Sequence, residues 1–124
     1  LQQIGDNNQM TAVQQLTDNS SYVLSAKQVG NINDGYIKQS GEGHESILLQ
    51  SGNNNVASLW SIGSQTQNLV QQEGNGNQVN SYIENYNFIL FNALSKSNQI
   101  KSKCSCDKII FVVFVFPRKN ITFL

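Results

Sequence analysis

Short stretches of the chain alternate polar and apolar side chains. In one of them Asn55, Ala57, Leu59 and Ser61 share one parity. Successive side chains of a β-strand point to opposite faces, so a strand would turn all four to one side. An apolar residue recurs at the equivalent position of other stretches, and we predict that these residues form the core: Ala12, Ile37, Leu48, Leu59 and Val70. The pattern predicts an all-β chain of short strands.

The stretches belong to a repeat that three columns of identical residues mark. The columns are Gln3, Gln28, Gln50 and Gln72, then Gly5, Gly30, Gly52 and Gly74, then Asn8, Asn33, Asn55 and Asn77. The spacing is 25 residues between the first two copies and 22 afterwards, which indicates one lengthened turn. Each repeat divides into two halves, because Gln14, Gln39 and Ser61 lie midway and Gly41 and Gly63 follow the last two of these.

Two short strands and two tight turns per repeat predict a β-solenoid of stacked strand-turn-strand rungs. Glycine and asparagine permit the turns, since both tolerate positive φ. Rungs about 4.8 Å apart would place identical side chains above one another, as in cross-β structures. Stacked amides can hydrogen-bond along the axis, which satisfies polar groups that are costly to bury alone. We therefore predict stacking ladders at Gln3, Gln28, Gln50 and Gln72, at Asn8, Asn33, Asn55 and Asn77, and at Gln14 and Gln39.

Composition favours an assembly over an ordinary globule. Only 13% of residues are charged, the formal net charge is zero and there is one proline. An in-register stack tolerates such a sequence, because stacked like charges would repel at every step. The chain opens almost directly on a repeat, and we expect a column with uncovered strand edges to polymerise end to end. Leu1 is not an initiator methionine, so a processed form or a fragment is expected.

We expect neither an enzyme nor a cofactor or metal site. Carboxylates are scattered over turns and variable positions, whereas glycoside cleavage needs them clustered. Glu42 and Glu45 bracket His44, the only histidine, but all three fall in one predicted turn. Cys104 and Cys106 have one residue between them, a spacing that fits neither a zinc knuckle nor a thioredoxin-like site.

The order Gln-x-Gly-x-x-Asn-x-Ala-x-x-x-Gln resembles the curlin repeat of curli, the extracellular amyloid fibres of bacterial biofilms. The closest copies run from Gln50 to Ser61 and from Gln28 to Gln39, and the likeness covers roughly residues 1–83. The resemblance implies a secreted, cell-surface fibre subunit that polymerises with itself for biofilm matrix and adhesion. It also implies a nucleator subunit and outer-membrane secretion machinery as partners. Matrix polysaccharide or host and abiotic surfaces are further possible partners, and nucleic acid is not expected.

A monomeric β-solenoid adhesin or surface-binding module, which does not polymerise, is the alternative. An ice-binding face would need regular Thr-x-Thr pairs, and the threonines here are scattered. Tyr22, Tyr36, Trp60 and Tyr82 fall at outward or strand-end positions of the pattern. Three interpretations of these rings stay open: contacts with dyes or glycans, lateral packing between columns, and simple β-propensity.

The repeat fails beyond Ile83, which divides the chain at about residue 87. Residues 1–87 are predicted to hold about four rungs, and residues 88–124 to form an irregular tail that is apolar and basic. The tail includes eight consecutive apolar residues, 109–116, too few to span a bilayer as a helix. Three origins for it stay open: an anchoring segment, a divergent cap, or translation past a damaged stop or frameshift.

Overall fold

The computed structural model describes residues 1–16, 21–84, 88–94, 99–104, 110–115 and 120–123. Every regular element in these ranges is a β-strand. The strands are β1 (Gln2–Ile4), β2 (Gln9–Leu16), β3 (Val23–Val29), β4 (Asp34–Glu42), β5 (Glu45–Ser51), β6 (Val56–Ser64), β7 (Gln67–Glu73), β8 (Gln78–Glu84), β9 (Phe88–Leu94), β10 (Gln99–Cys104), β11 (Ile110–Val115) and β12 (Asn120–Phe123). Over the same ranges, no helix has the length and apolarity to cross a membrane.

The strands form two parallel sheets of six strands each. The odd-numbered strands follow one another in the order β1-β3-β5-β7-β9-β11, which we call the odd sheet, and the even-numbered strands form the even sheet in the same sense. One odd strand and the even strand after it make one coil, so coil 1 is β1 with β2 and coil 4 is β7 with β8. The predicted all-β solenoid is confirmed.

The register between coils follows the repeat. Gln3 pairs with Gln28, Gln28 with Gln50 and Gln50 with Gln72. The longer first spacing is taken up between β2 and β3: β2 pairs with β4 at a 25-residue offset, whereas β3 pairs with β5 at 22. The extra residues therefore lie in the connection, and the strand pairing on both sides of it is undisturbed.

Glycine is required where the chain turns out of β1, β3 and β5. Gly30 has a φ of 112°, and a Cβ added there would lie 2.0 Å from the carbonyl oxygen of Gly52 in the next coil. Both the backbone conformation and the close approach of successive coils exclude a side chain. Gly5 and Gly52 meet the same conditions, so the glycine column is a consequence of stacking.

The apolar core lies between the sheets. Ile37, Leu48, Leu59 and Val70 are fully buried, at 0% exposure. Further apolar residues complete the core: Ala26, Ala57, Val79 and Ile83. Ala12 is a correction to the prediction, because it is exposed. It pairs with Ile37 as the repeat requires, but β2 is an edge strand of the even sheet, so only one side of it is covered.

The prediction of an irregular tail is wrong for the parts of residues 88–124 that the structure describes. There β9 pairs with β7, β10 with β8, β11 with β9 and β12 with β10, all in parallel. The backbone thus continues both sheets through coils 5 and 6. Backbone pairing needs no conserved side chain, and the β-branched and aromatic residues of β9 and β11 favour strands at an available sheet edge. Cys106 lies outside the described residues.

Candidate functional site

The predicted glutamine column forms a continuous hydrogen-bonded ladder. Nε2 of Gln3 donates to Oε1 of Gln28, Gln28 to Gln50 and Gln50 to Gln72, each at 2.8 Å. Gln28, Gln50 and Gln72 are at most 1% exposed, whereas Gln3 at the coil 1 edge is exposed. The ladder crosses coils 1 to 4 and stops at coil 5, where Ala93 pairs with Gln72.

Each buried glutamine amide also uses its second proton. Nε2 of Gln28 donates to the carbonyl of Gln9 at 2.8 Å, and Nε2 of Gln50 donates to the carbonyl of Asp34 at 3.1 Å. In both cases the acceptor belongs to the even strand of the preceding coil. A single side chain therefore ties two coils together along the axis and links the two sheets across the core.

The asparagine column makes a second ladder of opposite polarity. Nδ2 of Asn33 donates to Oδ1 of Asn8 and Asn55 donates to Asn33, both at 3.1 Å, and Asn77 donates to Asn55 at 3.2 Å. The same oxygens also accept backbone N–H groups of the next asparagine at 3.0 to 3.1 Å. Asparagine amides thus donate toward coil 1, whereas glutamine amides donate away from it.

The ladder in the second halves is short. Nε2 of Gln14 donates to Oε1 of Gln39 at 2.9 Å, and Gln39 donates to Oγ of Ser46 at 3.0 Å. Ser61 occupies the glutamine place in the next coil and lies 3.4 Å, Oγ to Oγ, from Ser46. A cluster of small hydroxyl groups therefore ends this ladder at coil 3.

Sequence reasoning missed a fourth ladder on the outside of the turns. The backbone N–H of Asp6 donates to Oδ1 of Asn31 at 2.9 Å, and the same bond joins Asn31 to Asn53 and Asn53 to Asn75 at 2.8 Å. A signal for it exists, because each of these residues follows a column glutamine by three positions. These side chains accept hydrogen bonds from backbone N–H groups of the turns, which strand pairing does not satisfy.

His44 lies in the turn between β4 and β5, and its side chain is buried there. His44 is 1% exposed; its Nδ1 is 2.8 Å from Oγ1 of Thr66 and its Nε2 is 3.0 Å from the carbonyl oxygen of Ser40. Burial lowers the pKa of His44, and the Ser40 carbonyl only partly opposes that shift. Glu42 is exposed on the other side of the chain from this buried ring. Within the described ranges, no three His, Cys, Asp or Glu side chains come together as metal ligands would.

The coil 1 strands form one edge of each sheet. Among the described strands, β1 and β2 each have a neighbour on one side only. Gln3 and Gln14 lie on these edges, exposed, with their amides already directed along the axis. An incoming coil that carries glutamine and asparagine at the repeat positions would find backbone and side-chain partners in register.

No protein-family model, curated protein or solved structure matches the chain. The resemblance to curlin repeats therefore rests on the sequence motifs.

Proposed function

We propose that the chain is a structural subunit that assembles with copies of itself into an extracellular, curli-like amyloid fibre. Such a fibre serves biofilm matrix and surface adhesion. The observation that carries the proposal is the glutamine ladder, which runs through four coils at a constant 2.8 Å and reaches an exposed residue at a sheet edge.

The internal contacts of the chain support axial addition. Coils 1 to 4 make the same parallel pairing, the same amide bonds and the same glycine contacts with one another. A coil from another molecule that carries glutamine and asparagine at the repeat positions would repeat the bonds that coils 1 to 4 make with one another. A coil without them, such as coil 6, would repeat only the backbone pairing. Edge strands with unpaired N–H and C=O groups are templates for such pairing.

The two edges of the described column differ, and this gives a fibre a direction. The β1 and β2 edge carries Gln3 and Gln14. At the opposite edge, β11 of coil 6 has Val115 in register with Ala93 and therefore with the glutamine column. Growth is therefore expected to depend on the amides at the coil 1 edge. A nucleator subunit and outer-membrane secretion machinery belong to the same proposal through the curlin resemblance.

Seeded fibre growth tests the proposal with a matched pair of double variants. Gln3→Ala with Gln14→Ala removes both edge amides, and Gln2→Ala with Gln15→Ala removes their outward neighbours. We expect the first pair to slow seeded elongation about tenfold, equivalent to about 1.4 kcal/mol, and the second to have little effect. Thioflavin fluorescence gives the rate, and fibre diffraction should show a spacing of about 4.8 Å.

A full-length chain that stays monomeric for days at tens of micromolar, with or without seeds, would contradict the proposal. That result would favour the monomeric surface-binding module. Equal growth rates for the two double variants would show that fibres form through another surface.

A further inference from the structure

The outer face of the even sheet carries a strip of aromatic and basic side chains. We call it the aromatic-lysine strip, and its members are Tyr36, Lys38, Trp60, Tyr82, Lys101 and Lys103. They alternate along their strands with inward residues such as Ile37 and Leu59, so the pleat turns them outward. Strand pairing places Lys38, Trp60, Tyr82 and Lys103 in one column across coils 2 to 5.

The side chains of this column contact one another. The Lys38 ammonium lies 5.1 Å from the centroid of the Trp60 ring, and the Lys103 ammonium lies 6.0 Å from that of Tyr82. Tyr36 and Trp60 have ring centroids 5.6 Å apart at 38°. Cation-π contacts and ring packing hold the strip in place, so a ligand would meet a preformed surface.

A groove of about 450 Å³ runs beside the two central rings. It is lined by Ser58, Trp60, Asn80, Ser81 and Tyr82. The Trp60 indole N–H donates to Oγ of Ser58 at 2.9 Å, which fixes the ring against the groove. Aromatic walls with neutral amide and hydroxyl groups suit a ligand that has apolar C–H faces and many hydroxyls, which is the chemistry of a sugar ring.

Charge narrows the class of sugar. Lysines stand at both ends of the column, about 14 Å apart for three coil steps, and Lys101 lies beside Lys103. The acids of this face, Asp34, Glu42 and Glu84, lie at the ends of their strands and outside the strip. The strip is therefore basic and aromatic, and it complements a sugar chain that carries carboxylates.

The outer face of the odd sheet lacks the combination of aromatic rings and lysine that the even sheet has in coils 2 to 4. At the equivalent outward positions of coils 2 to 4 it presents Ser25, Lys27, Ile47, Leu49, Leu69 and Gln71. That face has one lysine and no aromatic ring in those coils, although both sheets share the same backbone. The concentration of rings and lysines on the even sheet is thus not imposed by the solenoid.

We propose that the aromatic-lysine strip binds a linear acidic polysaccharide of the polyuronate type. Sugar C–H faces pack against Trp60 and Tyr82, hydroxyls meet Ser58 and Asn80, and carboxylates pair with Lys38 and Lys103. The strip runs parallel to the solenoid axis, so a monomer and a fibre would both present it. The inference is independent of polymerisation.

A single-stranded nucleic acid is the competing ligand, since it also combines rings with negative charge. Such a strand carries one phosphate per nucleotide, and the strip places only three lysines over four coils. The neutral polar groups between the lysines match the hydroxyls of a sugar chain better than a row of phosphates. The observations therefore favour the polyuronate.

Trp60 is the only tryptophan, so its fluorescence reports binding directly. Freshly diluted full-length protein is titrated with oligogalacturonate, with a cello-oligosaccharide of the same length and with a thymidine oligonucleotide. We expect a saturable change with oligogalacturonate that weakens as salt rises, and a much smaller response to the neutral glycan. Because the titration uses freshly diluted monomer, its result does not depend on whether the protein forms fibres.

Lys38→Gln and Lys27→Gln form the matched pair, because both lysines occupy the same place in coil 2 on opposite sheets. We expect Lys38→Gln to weaken oligogalacturonate binding about fivefold and Lys27→Gln to leave it unchanged. Tyr82→Leu, which keeps an apolar side chain on the strand, should weaken binding of both glycans. Equal effects of the two lysine variants, or tighter binding of the oligonucleotide than of oligogalacturonate, would overturn the proposal.

Discussion

Gln28 and Gln50 lie directly above one another, with Nε2 of the first donating to Oε1 of the second at 2.8 Å and both side chains buried. Each would be expensive to bury alone, because an unsatisfied amide costs about 1 to 3 kcal/mol. Stacking removes that cost, since each glutamine satisfies the next. A core of this kind specifies register more strictly than apolar contacts do, because a one-residue slip would leave every amide unpaired.

Gln71 and Gln72 provide the sharpest test of that ladder within one molecule. Gln72 is buried, accepts from Gln50 and donates to the carbonyl of Val56, whereas Gln71 points outward. We expect Gln72→Ala to lower the free energy of unfolding by about 2 to 4 kcal/mol and Gln71→Ala to change it by less than about 0.5. Denaturant unfolding of dilute monomer measures both. Similar losses in the two variants would contradict a stabilising ladder.

The asparagine ladder predicts that aspartate is tolerated at one position and not at another. Asn55 donates its Nδ2 protons to Asn33 and to the carbonyl of Gly74, so Asn55→Asp would set a carboxylate against two oxygens. Asn53 uses only its oxygen, which accepts from the Asn31 backbone. Asp6 already occupies that turn column in coil 1.

We therefore expect Asn55→Asp to cost about 2 to 3 kcal/mol and Asn53→Asp to cost less than about 0.5. Thermal unfolding at neutral pH distinguishes the two. Equal melting temperatures for the variants would mean that the buried amide protons of Asn55 contribute little.

Most of coils 1 to 4 could be predicted because the residues that repeat in the sequence contact the equivalent residues of the next coil. Gln28 stacks on Gln50 and Gly30 meets Gly52, so spacing in the sequence translates directly into position in space. Ala12 shows the limit of that logic, since it keeps its place in the register and yet is exposed. Burial depends on having a neighbouring coil on both sides, which a column of residues does not reveal.

Coils 5 and 6 could not be predicted for a different reason. Their strands pair through the backbone, and residues such as Ala93 bear no likeness to the glutamine that they follow in register. His44 was hidden by a similar substitution, because its imidazole ring takes the place of the amide of a column asparagine. Side-chain identity therefore marks the ladders and not the full extent of the solenoid.

Ile32 is strained in the turn of coil 2. Its φ is 57°, a left-handed conformation that a β-branched residue rarely adopts, and its side chain is 56% exposed. Asn7 and Asn54 hold the same place in neighbouring coils with φ of 55° and 56°. We expect Ile32→Asn to raise the free energy of unfolding by about 1 kcal/mol, because asparagine tolerates this region. The reverse change, Asn54→Ile, should lower the free energy of unfolding by a similar amount in the same denaturant assay. A loss of stability in Ile32→Asn, or a gain in Asn54→Ile, would refute the strain.

The surroundings of His44 favour a neutral ring. Its Nε2 donates to the Ser40 carbonyl, and its Nδ1 faces Oγ1 of Thr66 at 2.8 Å and the backbone N–H of Thr66 at 3.4 Å. A proton on Nδ1 would point at that N–H. The Tyr22 ring lies 5.6 Å away, and the nearest acids in sequence, Glu42 and Glu45, are on the outward side of the chain.

Stability should therefore fall as pH falls. Burial holds the pKa of His44 below its ordinary value of 6.5, so the unfolded chain takes up a proton at a higher pH than the folded one. The stabilisation is complete above about pH 6.5 and declines below it, by at most about 1.4 kcal/mol per pH unit, until the folded histidine also titrates. His44→Asn places the column residue there and removes the titration. We expect unfolding free energies of the parent to drop between about pH 7.5 and 5 and those of His44→Asn to stay flat; parallel curves would show that another group sets the dependence.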